Sequence, residues 1–158
     1  MQYDKVLNYY RTSTNSDERN TCLRSLGRAQ DPELIQRTLA MLFGDDIKSQ
    51  DVYMPVGGLR THPAGVKALF ACMTENWGEL TKRLPPALSM LGTMVTIMTS
   101  GMTTQDQLAQ LDKFFADKNN NGYDQSLEQS KDSIRSKISW LGRDRDDVAA
   151  WLKANKYM

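Results

Sequence analysis

The chain has 158 residues, 40% hydrophobic and 25% charged, which suits one packed core and is too few for two comfortable ones. Its 20 basic and 19 acidic side chains leave a net charge of +1, so there is no broad positive field to hold a nucleic-acid backbone. The longest apolar run, over residues 88–98, is interrupted by Ser89, Gly92, Thr93 and Thr96 and falls short of the ~20 residues of a membrane span. Neither nucleic acid nor membrane is expected as a partner, and the chain is expected to be soluble.

Tyr3 to Tyr10 reads as a short aromatic helix whose neighbours would lie upstream. Asn15 with Glu18 resembles a capping box. Cys22, Leu23 and Leu26 then share a face before Gly27 closes the run. Asp31 ahead of Pro32 supplies a capping carboxylate and a proline suited to the first helical position, and Leu34, Ile35, Leu39, Leu42 and Phe43 follow at helical spacing as far as Gly44. These two segments predict an antiparallel helical hairpin.

The stretch from Gln50 to Trp77 organises the remainder. Gly57 and Gly58 permit backbone angles closed to other residues, and Pro63 fixes its own φ at the start of the next helix, so the segment is expected to be a shaped corner. A helix over 64–76 carries Val66, Leu69, Phe70 and Met73 on one face. Trp77-Gly78 marks a bend before a short amphipathic piece ending at Leu84, and Pro85-Pro86 forces a new start. From Ala87 to Met98 the sequence is apolar around most of a helix, with Met90, Met94 and Met98 four residues apart, which predicts a central buried helix.

Thr103 and Asp106 are expected to cap a helix whose inner side holds Leu108, Leu111, Phe114 and Phe115, with a polar loop from Lys118 to Gly122 beyond it. Leu127, Ile134, Ile138 and Leu141 predict a long helix ending at Trp140-Leu141-Gly142. A last helix from Arg143 or Asp144 would carry Val148, Trp151 and Leu152. Trp77, Trp140 and Trp151 are assigned to the core, where large aromatics bury most area. No alternating β pattern of useful length occurs. The reading is therefore all-α: a single domain over residues 1–158, built as an α-solenoid of antiparallel helix pairs in a right-handed superhelical stack, without a strict sequence repeat.

Chemistry is sparse. His62 is the single histidine, so the His-Glu-x-x-His arrangement of zinc hydrolases is absent, and its place before Pro63 reads as a partly exposed turn residue. There is no Gly-x-Ser-x-Gly elbow, phosphate loop or dinucleotide fingerprint. Cys22 and Cys72 sit inside helical patterns and read as buried thiols; together with the absence of an Asn-x-Ser/Thr site among eight asparagines they point to a reducing, cytoplasmic home. A Cys-His dyad stays open on sequence alone, although both cysteines fall on core faces. Asp117, Asn119, Asn121, Gly122 and Glu128 match the spacing of a calcium loop, but only Asp117 and Glu128 bring ligand charge, Asp124 stands where an apolar residue is usual, and no second loop exists. The competing reading is a polar interhelical loop turned by Gly122.

The succession Gln50-Asp51, Gly57-Gly58, Pro63-x-Gly65, Asn76-Trp77, Phe114-Phe115, Trp140-Leu141, Arg143-Asp144 and Trp151-Leu152 resembles the C-terminal helical domain of the gluzincin zinc aminopeptidases, nearest to the puromycin-sensitive type and the fungal alanine/arginine aminopeptidases. The likeness covers nearly the whole chain in order. Phe70 stands where that family usually has tryptophan and Cys72 where an aromatic is common, changes that bear on packing. The resemblance implies HEAT-like helix pairs that close over a peptide chamber, with zinc and the catalytic groups in an upstream domain of the same polypeptide. It also implies that this chain, a C-terminal piece of a larger enzyme, has no catalytic centre, metal or cofactor of its own. Peptide would be its other partner, and Arg60 and Lys67 beside the corner could meet a peptide carboxylate. The alternative is a stand-alone α-solenoid that binds a partner peptide.

Overall fold

A computed structural model describes residues 2–85 and 89–157, and among them all regular secondary structure is helical. The elements are α1 (Gln2–Thr12), α2 (Ser16–Leu26), α3 (Pro32–Ala40), α4 (Tyr53–Leu59), α5 (Pro63–Glu75), α6 (Trp77–Arg83), α7 (Met90–Thr99), α8 (Gln105–Phe115) and α9 (Asp124–Ala154). A short 3-10 turn, Ser49–Asp51, leads into α4. The start expected at Ala87 and the proline Pro86 lie outside the described residues.

Local chemistry sets most of the boundaries. Asn15 Oδ1 accepts from the N–H groups of Asp17 and Glu18, and Asp31 Oδ1 from those of Glu33 and Leu34, so each satisfies donors that a helix start leaves open. The capping box expected at Asn15 is only half formed, because the Glu18 carboxylate accepts from Ser13 Oγ and Tyr9 Oη instead. The complete box is at Thr104 and Gln107, one residue beyond the expected Thr103.

In the packing, α2, α4, α7 and α9 touch in succession; α1 lies on α2, α3 and α7 on α5, and α8 on α9. The core holds Leu23, Leu59, Leu69, Met73, Leu91 and Met94, all at most 1% exposed and each contributing roughly 1.5–3 kcal/mol of burial. The predicted central helix is confirmed in α7, which contacts α4, α5 and α9. At one end of the core, Trp77 meets Phe114, Phe115 and Tyr123 edge-on at 5.2 to 5.7 Å, the arrangement ring quadrupoles favour.

Several expectations are corrected. First, α1 finds its neighbours within the chain: Tyr3, Leu7 and Tyr10 are buried, Tyr3 Oη lies 2.8 Å from Thr38 Oγ1, and the Tyr10 hydroxyl donates to the Asp46 carbonyl. Second, Gly57 and Gly58 are helical residues of α4 and not a turn. A Cβ on Gly58 would stand 2.7 Å from the Arg24 carbonyl oxygen, and one on Gly27 would stand 2.0 Å from that of Pro55, so these two glycines let α2 and α4 touch backbone to backbone. Third, the break foreseen at Gly142 does not occur. Gly142 stays within the 31-residue α9, which leaves Trp140 at 48% and Trp151 at 58% exposure, outside the core. Glycine in a helix costs only ~1 kcal/mol, which twenty-odd propagating hydrogen bonds easily outweigh.

Candidate functional site

The α4–α5 corner brings three arginines to one hollow. Arg60 caps the C-terminus of α4, and its guanidinium projects over a hollow of about 280 Å³ lined also by Arg24, Arg28, Tyr53 and Thr61 and floored by Met54, Gly57, Gly58 and Ile97. Arg24 and Arg28 arrive from the end of α2, held there by the Gly27–Gly58 crossing. Among the described residues, no carboxylate lines the hollow. Arg60 Nη1 donates to Ser100 Oγ at 3.4 Å, and Lys137 Nζ donates to the Ser100 carbonyl, so a second cation stands close by. Burial, and then the charge of Arg60, push the Lys137 ammonium below the ordinary lysine range. Three arginines on one hollow have the chemistry to meet an anion that accepts from planar guanidinium forks.

A second hollow of about 330 Å³ opens on the other side of Arg60, lined by Thr61, His62, Val66, Gly101 and Gln107 among others. His62 is not the exposed turn residue expected from its place before proline. It is 9% exposed and caps α5, its Nδ1 accepting from the Gly65 N–H at 3.0 Å, while Nε2 has no hydrogen-bond partner among the described residues. Gly65 is required there, since a Cβ would lie 2.0 Å from the Leu59 carbonyl oxygen.

The other sequence-selected residues scatter. Lys67 is exposed on α5 and lines neither hollow beside Arg60. Gln50 and Asp51 line a small cavity of about 130 Å³ with Tyr10, Arg19 and Lys48. Asn76 ends α5 by donating from Nδ2 to the Cys72 carbonyl. In the suspected calcium loop, Asp117 pairs with Lys118 at 3.1 Å, Asn119 Oδ1 accepts from the Asn121 N–H, and Glu128 pairs with Lys131 at 3.1 Å. Gly122 makes the turn at φ 90°. Among the described residues, no group of three or more His, Cys, Asp or Glu side chains is placed to hold a metal ion. Both cysteines are buried free thiols; burial, aided by the Glu75 charge, pushes Cys72 up to about 11. Sequence reading missed Arg24 and Arg28, whose signal was their four-residue spacing across Gly27.

These features define a domain that is all-α among the described residues, with a cationic hollow beside α4. Residues 1–136 match the family model described as the ERAP1-like C-terminal domain, and the chain belongs to that family. The resemblance drawn from Gln50 through Trp151 is thus borne out. The chain is similar, at 49% identity over 155 residues, to "Aminopeptidase 2, mitochondrial" of Saccharomyces cerevisiae, covering 98% of this chain and 16% of the relative. It is 44% identical to "Aminopeptidase 2" of Candida albicans, covering 98% and 17%, and 39% identical to "Alanine/arginine aminopeptidase" of Saccharomyces cerevisiae, covering 98% and 18%. The chain therefore spans about one sixth of the length of these relatives. No described helix is long and apolar enough to cross a membrane.

Proposed function

We propose that the chain is the C-terminal domain of a zinc-dependent aminopeptidase, where it closes the chamber that holds the peptide and helps select substrate through the hollow beside Arg60. The observation that carries this reading is the match of 98% of the chain, at 39 to 49% identity, to relatives that are all named aminopeptidases. Zinc belongs in this reading to an upstream catalytic domain of the same polypeptide. The residues here do not fit it, since the one histidine spends Nδ1 on the Gly65 N–H and the cysteines lie on separate helices. The two buried free thiols support a reducing compartment such as the cytoplasm.

The groups of this chain bind and orient. A peptide carboxylate entering the hollow would accept from the Arg60 guanidinium, with Arg24 and Arg28 raising the local potential, and a charge-assisted bond of this type contributes about 1.5–3 kcal/mol. A dipeptide held at a distant catalytic centre would not reach it. Arg60→Ala in the full-length enzyme should therefore raise KM for a decapeptide by about tenfold or more and leave dipeptide hydrolysis unchanged. Equal effects on both substrates would refute the selection role. Hydrolysis of an aminoacyl fluorophore by this chain alone, supplied with zinc, would refute the assignment of catalysis to another domain.

A further inference from the structure

The hollow beside α4 holds more positive charge than one peptide carboxylate can neutralise. Arg24 stands in the last turn of α2, Arg28 in the turn that follows it, and Arg60 at the end of α4; all three are exposed and line the same space of about 280 Å³. Elsewhere Arg11, Arg37, Arg135, Arg143 and Arg145 each pair with an aspartate. The Arg24 and Arg28 guanidiniums make no hydrogen bond or ion pair with any other described residue, and that of Arg60 bonds only the Ser100 hydroxyl. Lys137, whose Nζ donates to the Ser100 carbonyl, is near enough for the Arg60 charge, after burial, to hold its ammonium below the ordinary lysine range.

The floor of the hollow is open. Gly57 lies inside α4, where glycine weakens a helix relative to alanine, and it lines the hollow. Packing does not call for glycine at this position: a Cβ on Gly57 would meet nothing within 4 Å, whereas one on the adjacent Gly58 would strike the Arg24 carbonyl oxygen at 2.7 Å. Gly58 serves the helix crossing. Gly57 leaves bare backbone in the hollow, the arrangement that lets a ligand approach the chain closely.

The number of acceptor oxygens decides which anion fits. A carboxylate has two oxygens and one charge, which a single guanidinium fork satisfies in bidentate fashion. A phosphate monoester has three acceptor oxygens and a charge of about −1.5 to −2 at neutral pH, and grouped guanidiniums are suited to it. The rim adds a further donor, because the Tyr53 hydroxyl has no partner among the described residues, whereas Thr61 donates its proton to the Gly58 carbonyl.

We propose that the hollow binds a phosphate monoester, held by Arg24, Arg28 and Arg60 over the bare backbone at Gly57, an inference that rests on reading this hollow as the place where the domain selects substrate. The substrate so selected is a peptide carrying a phosphorylated residue; a free phosphate ester presents the same group.

Isothermal titration of the chain at about pH 7.5, above the second phosphate pKa of ~6, tests this with a phosphoserine decapeptide, the same decapeptide with glutamate at that position, and inorganic phosphate alone. The phosphoserine peptide should bind about tenfold or more tightly than the glutamate peptide. Arg28→Gln should weaken phosphopeptide binding by about tenfold, the loss of one charge-assisted bond. Gly57→Ala should weaken it several-fold while melting no lower than the wild type, so that the loss is not one of folding. Equal affinity for the phosphoserine and glutamate peptides, or phosphopeptide binding unchanged by both substitutions, overturns the proposal. Inorganic phosphate bound far more weakly than the phosphopeptide supports the peptide as occupant; phosphate bound as tightly makes the occupant a free phosphate and overturns that assignment. The titration needs no hydrolysis, so an Arg60→Ala variant that leaves the decapeptide KM of the full-length enzyme unchanged refutes the selection role, while these affinities still decide the phosphate site.

Discussion

Alanine placed at Gly57 and, separately, at Gly58 should shift stability in opposite directions, although the two residues are neighbours in one helix. A Cβ on Gly57 meets nothing within 4 Å, so Gly57→Ala keeps every contact and gains the ~0.5–1 kcal/mol by which alanine exceeds glycine inside a helix. For a chain of this size that corresponds to a melting temperature higher by about 1–4 °C. The same methyl on Gly58 would stand 2.7 Å from the Arg24 carbonyl oxygen, 2.8 Å from the Gly27 carbonyl carbon and 2.9 Å from the Gly27 Cα. All three are backbone atoms, so no side-chain rotation relieves them. The helices α2 and α4 must separate by several tenths of an ångström, and overpacking of this kind costs about 1–3 kcal/mol, more than the propensity gain returns. Gly58→Ala should therefore melt about 2–6 °C lower. Thermal denaturation followed by circular dichroism at 222 nm reads both variants. Two shifts of the same sign and size would show that the crossing is not the close contact described, and the reasoning would fail.

Three further outcomes follow from other parts of the molecule. Thr38→Val should cost about 1–3 kcal/mol in urea denaturation, because Thr38 is fully buried and its loss strands the Tyr3 hydroxyl 2.8 Å away; adding Tyr3→Phe should recover part of the loss, and a double variant no better than the single one would contradict this. The Cys72 thiol is raised in the folded state, so its contribution is complete below the unfolded thiol pKa and is lost as pH climbs to about 11; between pH 9 and 11 the wild-type chain should lose about 2–3 kcal/mol that Cys72→Ala does not, and parallel pH profiles would refute it. Millimolar calcium should leave the melting temperature unchanged, because Asp117 and Glu128 are each engaged by a lysine; a clear rise would restore the calcium-loop reading.

The helices were legible because their signals are local, whereas the hairpin expected of α2 with α3 is not a main packing pair: α2 lies on α1 and α4, and α3 on α5. Asp31-Pro32 caps α3 as its residue types require, and Met94 and Met98 of α7 are inside because only Thr93 and Thr96 interrupt its apolar surface, on the side left exposed. Legibility failed where the outcome depended on an approaching neighbour. Gly57 and Gly58 look alike in sequence, and only the passage of α2 beside one of them separates an open position from a contact. His62 looked exposed because residues before proline usually lie in turns, yet the fold buries it as the cap of α5. The cationic hollow was visible as Arg60 alone, since Arg24 and Arg28 reach it across a helix crossing that no short-range pattern announces.

The tryptophans mark the division most clearly. Helix starts, helix periods and the all-α class follow from residue types within a few positions of one another, because hydrogen-bonded capping and the 3.6-residue repeat are short-range physics, and the amino-acid order suffices for them. Whether Trp77 closes an aromatic cluster while Trp140 and Trp151 stand in solvent depends on where α9 outruns the bundle. Burial is a property of what the rest of the chain brings alongside, so it is settled only once the helices are packed.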